Sequence, residues 1–462
     1  MNSKAHALLA VLALAGCTLI PPYHRPGMPV PETYDVREPG VADAPAAPEL
    51  DWEQFFADGK LKSIIGLALE NNRDLRVAAL NVERAAAFYR IQRAELLPAV
   101  GAGAFGEKVR IPEKLTESGE ADYSEQYSVN LGISAWELDF FGRIRSLAAA
   151  SLAQFLATEH AQRAAGISII GAVAQSYLAM AADQENLRIA EATLAAQERS
   201  AELIRRSHDL GIATGLELHQ AQSQVEAARA NVAAFRGAVA VDRNLLDLLA
   251  GTRVPAELLP EGLDALGEMK EISAGLPSEV LLERPDILAT EQQLIAANAN
   301  IGAARAAFFP RVTLTSSLGT LDTSVSGLFE SGTRTWNFVP QILTPIFASG
   351  SLRANLRATE ASREIAVANY ERAIQTAFAE VSNALALRAT LLEQEAAQRA
   401  LVEELEMTYR LSEARYKAGM DGYLGVLIAE RAVNEARRAF VAVRLARQSN
   451  LVELYSVLGG GL

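Results

Sequence analysis

Proline placement limits the folds open to this chain more than any other feature of its sequence. No proline occurs from residue 113 to 254 or from 346 to 462. A proline inside a helix costs about 3 kcal/mol, and both tracts are rich in Ala, Glu, Arg, Gln and Leu, so each is predicted to form very long helices. One helix is expected from about Arg143 to Ser207, a length on the order of 100 Å. Because a compact globular domain cannot hold such a helix, the tracts favour a coiled-coil tube.

Each long helix is followed by a glycine-bearing turn and a second helix. The first turn, at 210–215, contains Gly211 and Gly215, and the second, at 418–422, contains Gly419 and Gly422. The two turns align so that Leu216 corresponds to Leu424. Glycine is expected in both because tight turns between helices need residues with positive φ.

The same correspondence extends through the chain. Asp74 and Pro98 in the first half match Asp286 and Pro310 in the second at one common offset. The sequence is therefore interpreted as an internal duplication. The repeats are placed at 60–251 and 273–462, with an equatorial linker at 252–272.

Residues 101–106 read GAGAFG, the glycine spacing of a dinucleotide-binding loop. That motif requires a helix directly after the glycines, so that the pyrophosphate meets the helix N-terminus. Pro112 leaves no room for one, and the corresponding segment TLTSSL of the second repeat has no glycine. The segment is therefore predicted to be a strand at about 98–106 and not a nucleotide site.

Three further strands are predicted, at about 126–138, 311–319 and 335–344. In the first of these, apolar and polar residues alternate strictly from Tyr127 to Ala135, the period of a strand with one polar and one apolar face. Each repeat then reads helix, strand, loop, strand, long helix, turn, helix. The fold class predicted is an α + β protein whose long coiled-coil helices carry four strands per chain.

A sheet with one apolar face is compatible with two locations. The sheet could pack against the helices in the periplasm, or it could stand in a membrane with lipid outside and water inside, with Trp136, Trp336 and Tyr127 near the interfaces. Lipid tolerates no open sheet edge, so several chains would have to pool their strands. Two chains give eight strands and three give twelve with an open lumen, and the sequence leaves that choice open.

The N-terminus has the architecture of a secretory signal peptide at residues 1–16, with Lys4 before an apolar run too short to span a membrane. The single cysteine, Cys17, follows directly, and LAGC resembles a bacterial lipobox. This resemblance implies a lipidated cysteine with an N-palmitoyl and an S-diacylglycerol group. Thr18 in place of an aspartate favours the outer membrane. Residues 17–59 form a proline-rich arm, predicted to be extended.

Composition argues against several other classes of function. The net charge of −13 argues against a nucleic-acid partner. The five histidines show no metal-ligand spacing, and no H-E-x-x-H, P-loop or G-x-S-x-G motif is present. Neither an enzyme, a metal nor a cofactor is therefore predicted.

Several segments resemble the outer membrane factor family, the TolC and OprM type of efflux duct, and in particular its NodT-type lipoproteins. The most specific are LDFFGRIRSLAAA (138–150) and the segment 275–314, with support from 52–79 and 416–437. The resemblance covers nearly the whole mature chain. It implies a homotrimer with one shared twelve-stranded barrel and a helical periplasmic tunnel. It also implies docking on a periplasmic adaptor protein and, through it, on an inner-membrane RND-type pump. Transport through the duct itself would be passive, and the pump would supply the energy.

The resemblance further implies that the helical turns close the tunnel and that the adaptor contacts them at Gly211, Gly215, Gly419 and Gly422. Relatives commonly carry an aspartate where Ile428 stands, so an apolar ring of Leu424 and Ile428 is expected here instead of a charged latch. Ordinary coiled-coil packing is the alternative explanation for each of these residues. The predicted gate positions are Tyr416, Lys417, Leu424, Ile428, Arg431, Thr214 and Glu217.

Export of small toxic compounds or drugs is the predicted function. A duct for protein secretion or metal-ion efflux would share the same architecture, and only its partner pump would differ. A lipid-anchored periplasmic coiled-coil protein without a pore is the alternative from another class, and it predicts no conductance.

Overall fold

The structure is a computed structural model that describes residues 18–34, 51–117, 119–267, 269–270, 272 and 277–461. The signal peptide, Cys17, much of the proline-rich arm and part of the linker lie outside the described residues. The helices are α1 (Trp52–Phe55), α2 (Gly59–Asn71), α3 (Arg73–Ala94), α4 (Arg143–Asp209), α5 (Gly215–Ala250), α6 (Pro285–Ala306), α7 (Ser351–Lys417) and α8 (Tyr423–Val457). The strands are β1 (Val100–Ile111), β2 (Asp122–Leu138), β3 (Arg311–Asp322) and β4 (Arg334–Leu343).

The chain forms two compact units. The first holds the four strands with the adjoining parts of α3, α4, α6 and α7, and the second holds the remaining helices with both glycine-bearing turns. Each unit draws on both sequence repeats, so the compact units cut across the duplication. The duplication is visible instead in the element lengths, since α4 and α7 have 67 residues each.

The strands of the first unit form one antiparallel sheet in the order β1-β2-β3-β4. The loops of the two hairpins lie at one end of this sheet, and all four connections to helices leave from the other end. The first hairpin extends further than the sequence pattern indicates, because exposed charged residues continue the ladder: Lys108 opposes Glu125, and their side chains form an ion pair of 2.5 Å. Among the described residues, β1 and β4 each have one edge without a strand partner.

The glycines of GAGAFG lie inside β1. Gly106 faces Tyr127 across the ladder, and a Cβ added at Gly106 would lie 3.0 Å from the Tyr127 ring. The glycine thus leaves space for an aromatic side chain on the neighbouring strand. β1 continues directly after these glycines as far as Ile111, as expected for a strand and not for a dinucleotide loop.

The regular pairing of β2 with β3 is interrupted after Ile133, two residues before the predicted alternation ends at Ala135. Ala135 has φ of +50°, and the register with β3 shifts between Ile133 and Trp136. The displaced Ala135 N–H donates to Thr315 Oγ1 at 3.1 Å. This bulge reorients the last residues of β2, which a period-two pattern alone cannot show.

Part of the proline-rich arm packs against α6 in the first unit. Arg25 donates two hydrogen bonds of 2.7 Å to the carboxylate of Glu291, and Tyr23 donates a third of 2.9 Å. The Asn298 amide donates to the Pro21 carbonyl at 2.8 Å. Over residues 18–27 the arm therefore lies in a defined position without forming a helix or strand, whereas near its end Trp52–Phe55 form α1, which the prediction of an extended arm did not include.

The second unit is held together by buried side chains on its long helices. Tyr177 and Ile170 of α4 are fully buried, as are Leu246 of α5 and Tyr455 of α8. One stretch of α4 is apolar and long enough to cross a membrane by composition, but most of it is buried against the other helices. Its apolar character is accounted for by core packing.

Candidate functional site: the two helical turns

The backbone is the same in both turns of the second unit. Gly211 donates to the His208 carbonyl at 2.8 Å and Ile212 donates to the Ser207 carbonyl at 2.8 Å. At the second turn, Gly419 and Met420 donate to the carbonyls of Tyr416 and Arg415 at 2.9 and 3.0 Å. This pair of bonds is the Schellman motif, which ends a helix with one residue in the left-handed region. Gly211 and Gly419 occupy that position, with φ of +77° and +69°.

The other two glycines of the turns need a different explanation. Gly422 has φ of −76°, Gly215 is the first residue of α5, and neither adopts a positive φ. A Cβ on Gly422 would meet nothing within 4 Å. The positive-φ explanation therefore holds for Gly211 and Gly419 and fails for Gly215 and Gly422.

The first turn is fixed by its own side chains. The Glu217 N–H donates to Thr214 Oγ1 at 3.2 Å, and the Thr214 N–H donates to Glu217 Oε2 at 2.8 Å. This is a complete capping box at the start of α5. Thr214 and Glu217, predicted as gate residues, thus have a local structural role that is sufficient to explain them.

The second turn has no such cap. Gly422 occupies the N-cap position of α8 and offers no side chain to the free N–H groups of the first helical turn. Across this turn, Arg415 Nη2 donates to Asp421 Oδ1 at 2.9 Å, and both side chains are about half exposed. An ion pair between exposed side chains adds little stability, because water and salt screen it. Local interactions therefore hold the second turn less firmly than the first.

Tyr416 lies in a packed cluster that joins the two helical hairpins. Its ring centroid is 5.3 Å from that of Tyr423, whose hydroxyl lies 2.7 Å from Ser200 Oγ on α4. Tyr423 is buried together with Ile204 and Val426, and burial raises the pKa of its hydroxyl. Tyr416 therefore belongs to the packing between the hairpins.

The remaining predicted gate residues lie on the surface. Leu424, Ile428 and Arg431 are spaced four and three residues apart on α8, which places them on one face of that helix. Leu424 and Ile428 are 56% and 62% exposed, although they are large apolar side chains. Arg431 pairs with Glu435 at 2.9 Å and Lys417 pairs with Glu413 at 2.8 Å, each within its own helix. The structure thus provides an apolar pair with a cation beside it, facing away from its own unit.

The sequence analysis missed an apolar surface on the turns themselves. Four side chains are each more than 60% exposed: Leu210, Ile212, Leu216 and Met420. Large apolar residues beside turn glycines were the available signal, because a turn that contacts only water has no need of them. Together with Leu424 and Ile428, these four side chains form what we call the apolar tip.

The two repeats match a known family over almost their whole length. The profile of the outer membrane efflux protein family matches residues 64–252 and 276–460. The chain belongs to this family.

Individual relatives cover the chain from end to end. The toluene efflux pump outer membrane protein TtgC of Pseudomonas putida is 46% identical over 465 residues, covering 99% of this chain and 96% of that protein. The outer membrane protein OprJ of Pseudomonas aeruginosa is 41% identical, covering 98% and 95%. The open-state structure of the Neisseria gonorrhoeae MtrE outer membrane channel superposes with a TM-score of 0.87 at 37% identity, covering 96% of this chain and 99% of that one. These likenesses confirm the predicted fold class of long helices with membrane strands, and the outer membrane location.

One further residue of this efflux protein stands out beside the second turn. The carboxyl of Glu430 is largely buried on α8 next to Gln197, and burial raises its pKa, with a further increase from nearby Glu413. At the equivalent position of the first hairpin stands Gln222, a neutral and exposed residue. The second hairpin thus carries a buried acid that its counterpart lacks.

Proposed function

We propose that this protein is the outer membrane exit duct of a tripartite efflux system. Small toxic compounds would enter it from an inner-membrane RND-type pump by way of a periplasmic adaptor, and would pass through it without further energy input. The observation that carries the proposal is the family match over both repeats, combined with a sheet whose two edges are open. The names of relatives, which include toluene, solvent and antibiotic efflux pump proteins, support small apolar cargo.

The open edges support assembly from several copies. In lipid, every unpaired N–H and C=O group of an edge strand costs several kcal/mol, so β1 and β4 must both find partners. Antiparallel pairing of β4 of one copy with β1 of the next would close a barrel. A homotrimer gives twelve strands and a lumen, whereas eight strands leave an interior that side chains can fill. We therefore propose a homotrimer.

In such an assembly, the exposed face of α8 is suited to close the tunnel. Leu424 and Ile428 from each copy would form an apolar ring that excludes water. Arg431 and Lys417 would border this ring, with their charges partly balanced by Glu435 and Glu413. Tyr416, Thr214 and Glu217 would act indirectly, since they fix the turns from which the ring projects.

The apolar tip is suited to the adaptor. Ile212 and Met420 project beside Gly211 and Gly419, and the side-chain-free backbone at Gly215 and Gly422 allows a partner to approach closely. Cys17 would carry the lipid that tethers the arm to the outer membrane, in addition to the barrel.

Conductance in planar bilayers tests the duct and its closure together. Purified mature protein is compared with a Leu424→Ala/Ile428→Ala variant, and Leu245→Ala/Leu248→Ala on α5 serves as a control in which two other exposed leucines are shortened. We expect a small wild-type conductance that rises several-fold in the ring variant alone. A folded, membrane-inserted protein without conductance in any form would contradict the duct. Large and equal conductance in all three would retain the duct and exclude the apolar ring.

A further inference from the structure

The helix-bearing end of the sheet carries a concentration of unpaired arginines. Each of the four connections between strand and helix leaves the sheet at this end, and arginines lie within about two turns of the helix ends. The side chains of five of them are exposed and form no ion pair or hydrogen bond among the described residues. We call them the arginine belt: Arg90, Arg93, Arg305, Arg353 and Arg357.

The placement of these cations is unfavourable for the helix that carries two of them. Arg353 and Arg357 lie in the first two turns of α7, whose first turn contains no acidic residue. A helix N-terminus carries a partial positive charge that acts mainly within the first turn, so the cation of Arg353 is disfavoured there. A local conflict of this kind is expected where the residues serve an external partner. A partner that these cations attract would be anionic.

Exposed apolar side chains accompany the arginines in the same connections. Leu97 is 72% exposed between α3 and β1, and Ile346 and Phe347 are 96% and 87% exposed between β4 and α7. Phe308 and Phe309, between α6 and β3, are each more than one-third exposed. Apolar side chains next to cations at the end of membrane strands match the boundary between acyl chains and headgroups.

The opposite end of the sheet has the reverse charge. Acidic residues predominate in the two hairpin loops and the adjoining strand ends, where Lys108, Arg110, Lys114 and Arg334 are outnumbered. The acidic residues of that end are Glu107, Glu113, Glu117, Glu120, Asp122, Glu125, Asp322 and Glu330. The whole chain has a net charge of −13, so a cluster of cations at one end of the sheet does not follow from its overall composition.

We propose that the arginine belt binds the headgroups of anionic phospholipids in the periplasmic leaflet of the outer membrane. This inference rests on the proposed function, because it places the helix-bearing end of the sheet in the periplasm. Cations close to an anionic membrane surface are attracted to its headgroups. The belt would hold the barrel at one depth, since the arginines stay with the headgroups while Leu97, Ile346 and Phe347 reach the acyl chains.

Lipid enrichment around the full-length protein tests the belt. Wild type is reconstituted in a mixture of phosphatidylethanolamine and phosphatidylglycerol, and the lipids that remain bound after mild detergent extraction are quantified by mass spectrometry. The test variants are Arg353→Gln/Arg357→Gln and Arg90→Gln/Arg93→Gln. The matched control is Arg199→Gln/Arg253→Gln, which removes two exposed, unpaired arginines from the second unit.

We expect wild type and control to retain phosphatidylglycerol several-fold above its share of the mixture, and each test variant to lose most of that enrichment. Higher salt should weaken it in the wild type, as for any interaction between exposed charges. Equal enrichment in test and control variants would overturn the proposal. So would displacement of phosphatidylglycerol by inorganic phosphate alone, which would indicate a site for a free anion.

Conductance of the same variants separates this proposal from the function on which it rests. Unchanged conductance with lost lipid enrichment is the expected result. Unchanged conductance with unchanged enrichment rejects the belt and leaves the duct intact. An altered ion selectivity without any change in bound lipid would place the arginines in the lumen and overturn the proposal.

Discussion

The two helical turns share one backbone and differ in what holds it. Both end a 67-residue helix with a Schellman motif centred on a glycine of positive φ. The first then starts its next helix with Thr214 and Glu217, whereas the second has Gly422 and Gly425 at the two equivalent positions. The chain reversal is thus the same in both repeats, and a capping box is present only at the first turn.

This difference indicates which turn can move. A turn fixed by its own cap keeps its geometry whatever lies next to it. The geometry of a turn without a cap depends on the groups that contact it. Here these are the Tyr416–Tyr423 pair and any partner that binds the apolar tip. The second turn also carries Leu424 and Ile428, so the less firmly held copy is the one on which the proposed ring stands.

The largest effect is expected where the two turns are alike. Gly211→Ala and Gly419→Ala should each cost about 1–2 kcal/mol, because an alanine side chain clashes with its own backbone in the left-handed region. Amide hydrogen exchange across each turn would measure the loss.

Gly215→Ala and Gly422→Ala are the matched controls, since neither position has a positive φ and both have room for a Cβ. A loss at Gly422→Ala equal to that at Gly419→Ala would show that the second turn is held in a way other than the one described.

An intermediate effect is expected from the cap. Thr214→Ala should destabilise the start of α5 by about 1 kcal/mol, the usual contribution of an N-cap threonine. Faster amide exchange at residues 216–218 would report it.

The complementary experiment introduces the capping box of the first turn into the second turn. Gly422→Thr/Gly425→Glu should slow exchange at the start of α8, because it supplies the cap and removes a flexible glycine from the first helical turn. If motion of this turn opens the duct, the graft should also lower the frequency of channel opening. An unchanged opening frequency with a stabilised turn would separate the cap from gating.

The smallest effect concerns pH. Because burial raises the pKa of Glu430, its ionised form is disfavoured in the folded protein. This penalty is absent below the unfolded-state pKa of about 4.3 and grows as pH rises through the folded-state pKa. Glu430→Gln should therefore stabilise the second hairpin at neutral pH and have no effect near pH 4. Thermal unfolding at both pH values would measure this, and stabilisation only at acid pH would contradict it.

Features that depend on local chemistry were predictable from the sequence. The proline-free tracts indicated α4 and α7, and the duplicated glycines marked both turns. The failure of GAGAFG as a nucleotide motif was also readable, because it needed only Pro112 and the comparison with the second repeat. Each of these inferences uses short segments of sequence, taken alone or aligned with the matching segment of the other repeat.

Features that depend on contacts between distant residues were not predictable. The bulge at Ala135 involves Thr315, and the exposure of Leu424 and Ile428 depends on how two hairpins pack. Glu430 gives no local sign of burial, since it is one glutamate among many on an amphipathic helix. The capping box was predictable from the sequence, because Thr214 and Glu217 have the required spacing, and their predicted place at the gate stays a prediction.

The pairing of β2 with β3 has a consequence for how the protein is made. These strands come from different repeats, and Glu137 meets Arg311 from 174 positions away in the chain. During synthesis and export, each hairpin emerges alone, and an isolated two-stranded hairpin is at best marginally stable in water. The hairpin of β1 and β2 therefore remains without its β3 partner until the second repeat has been exported. In that interval, the unpaired strands need protection from each other and from neighbouring copies, which makes the barrel the late and vulnerable step of biogenesis.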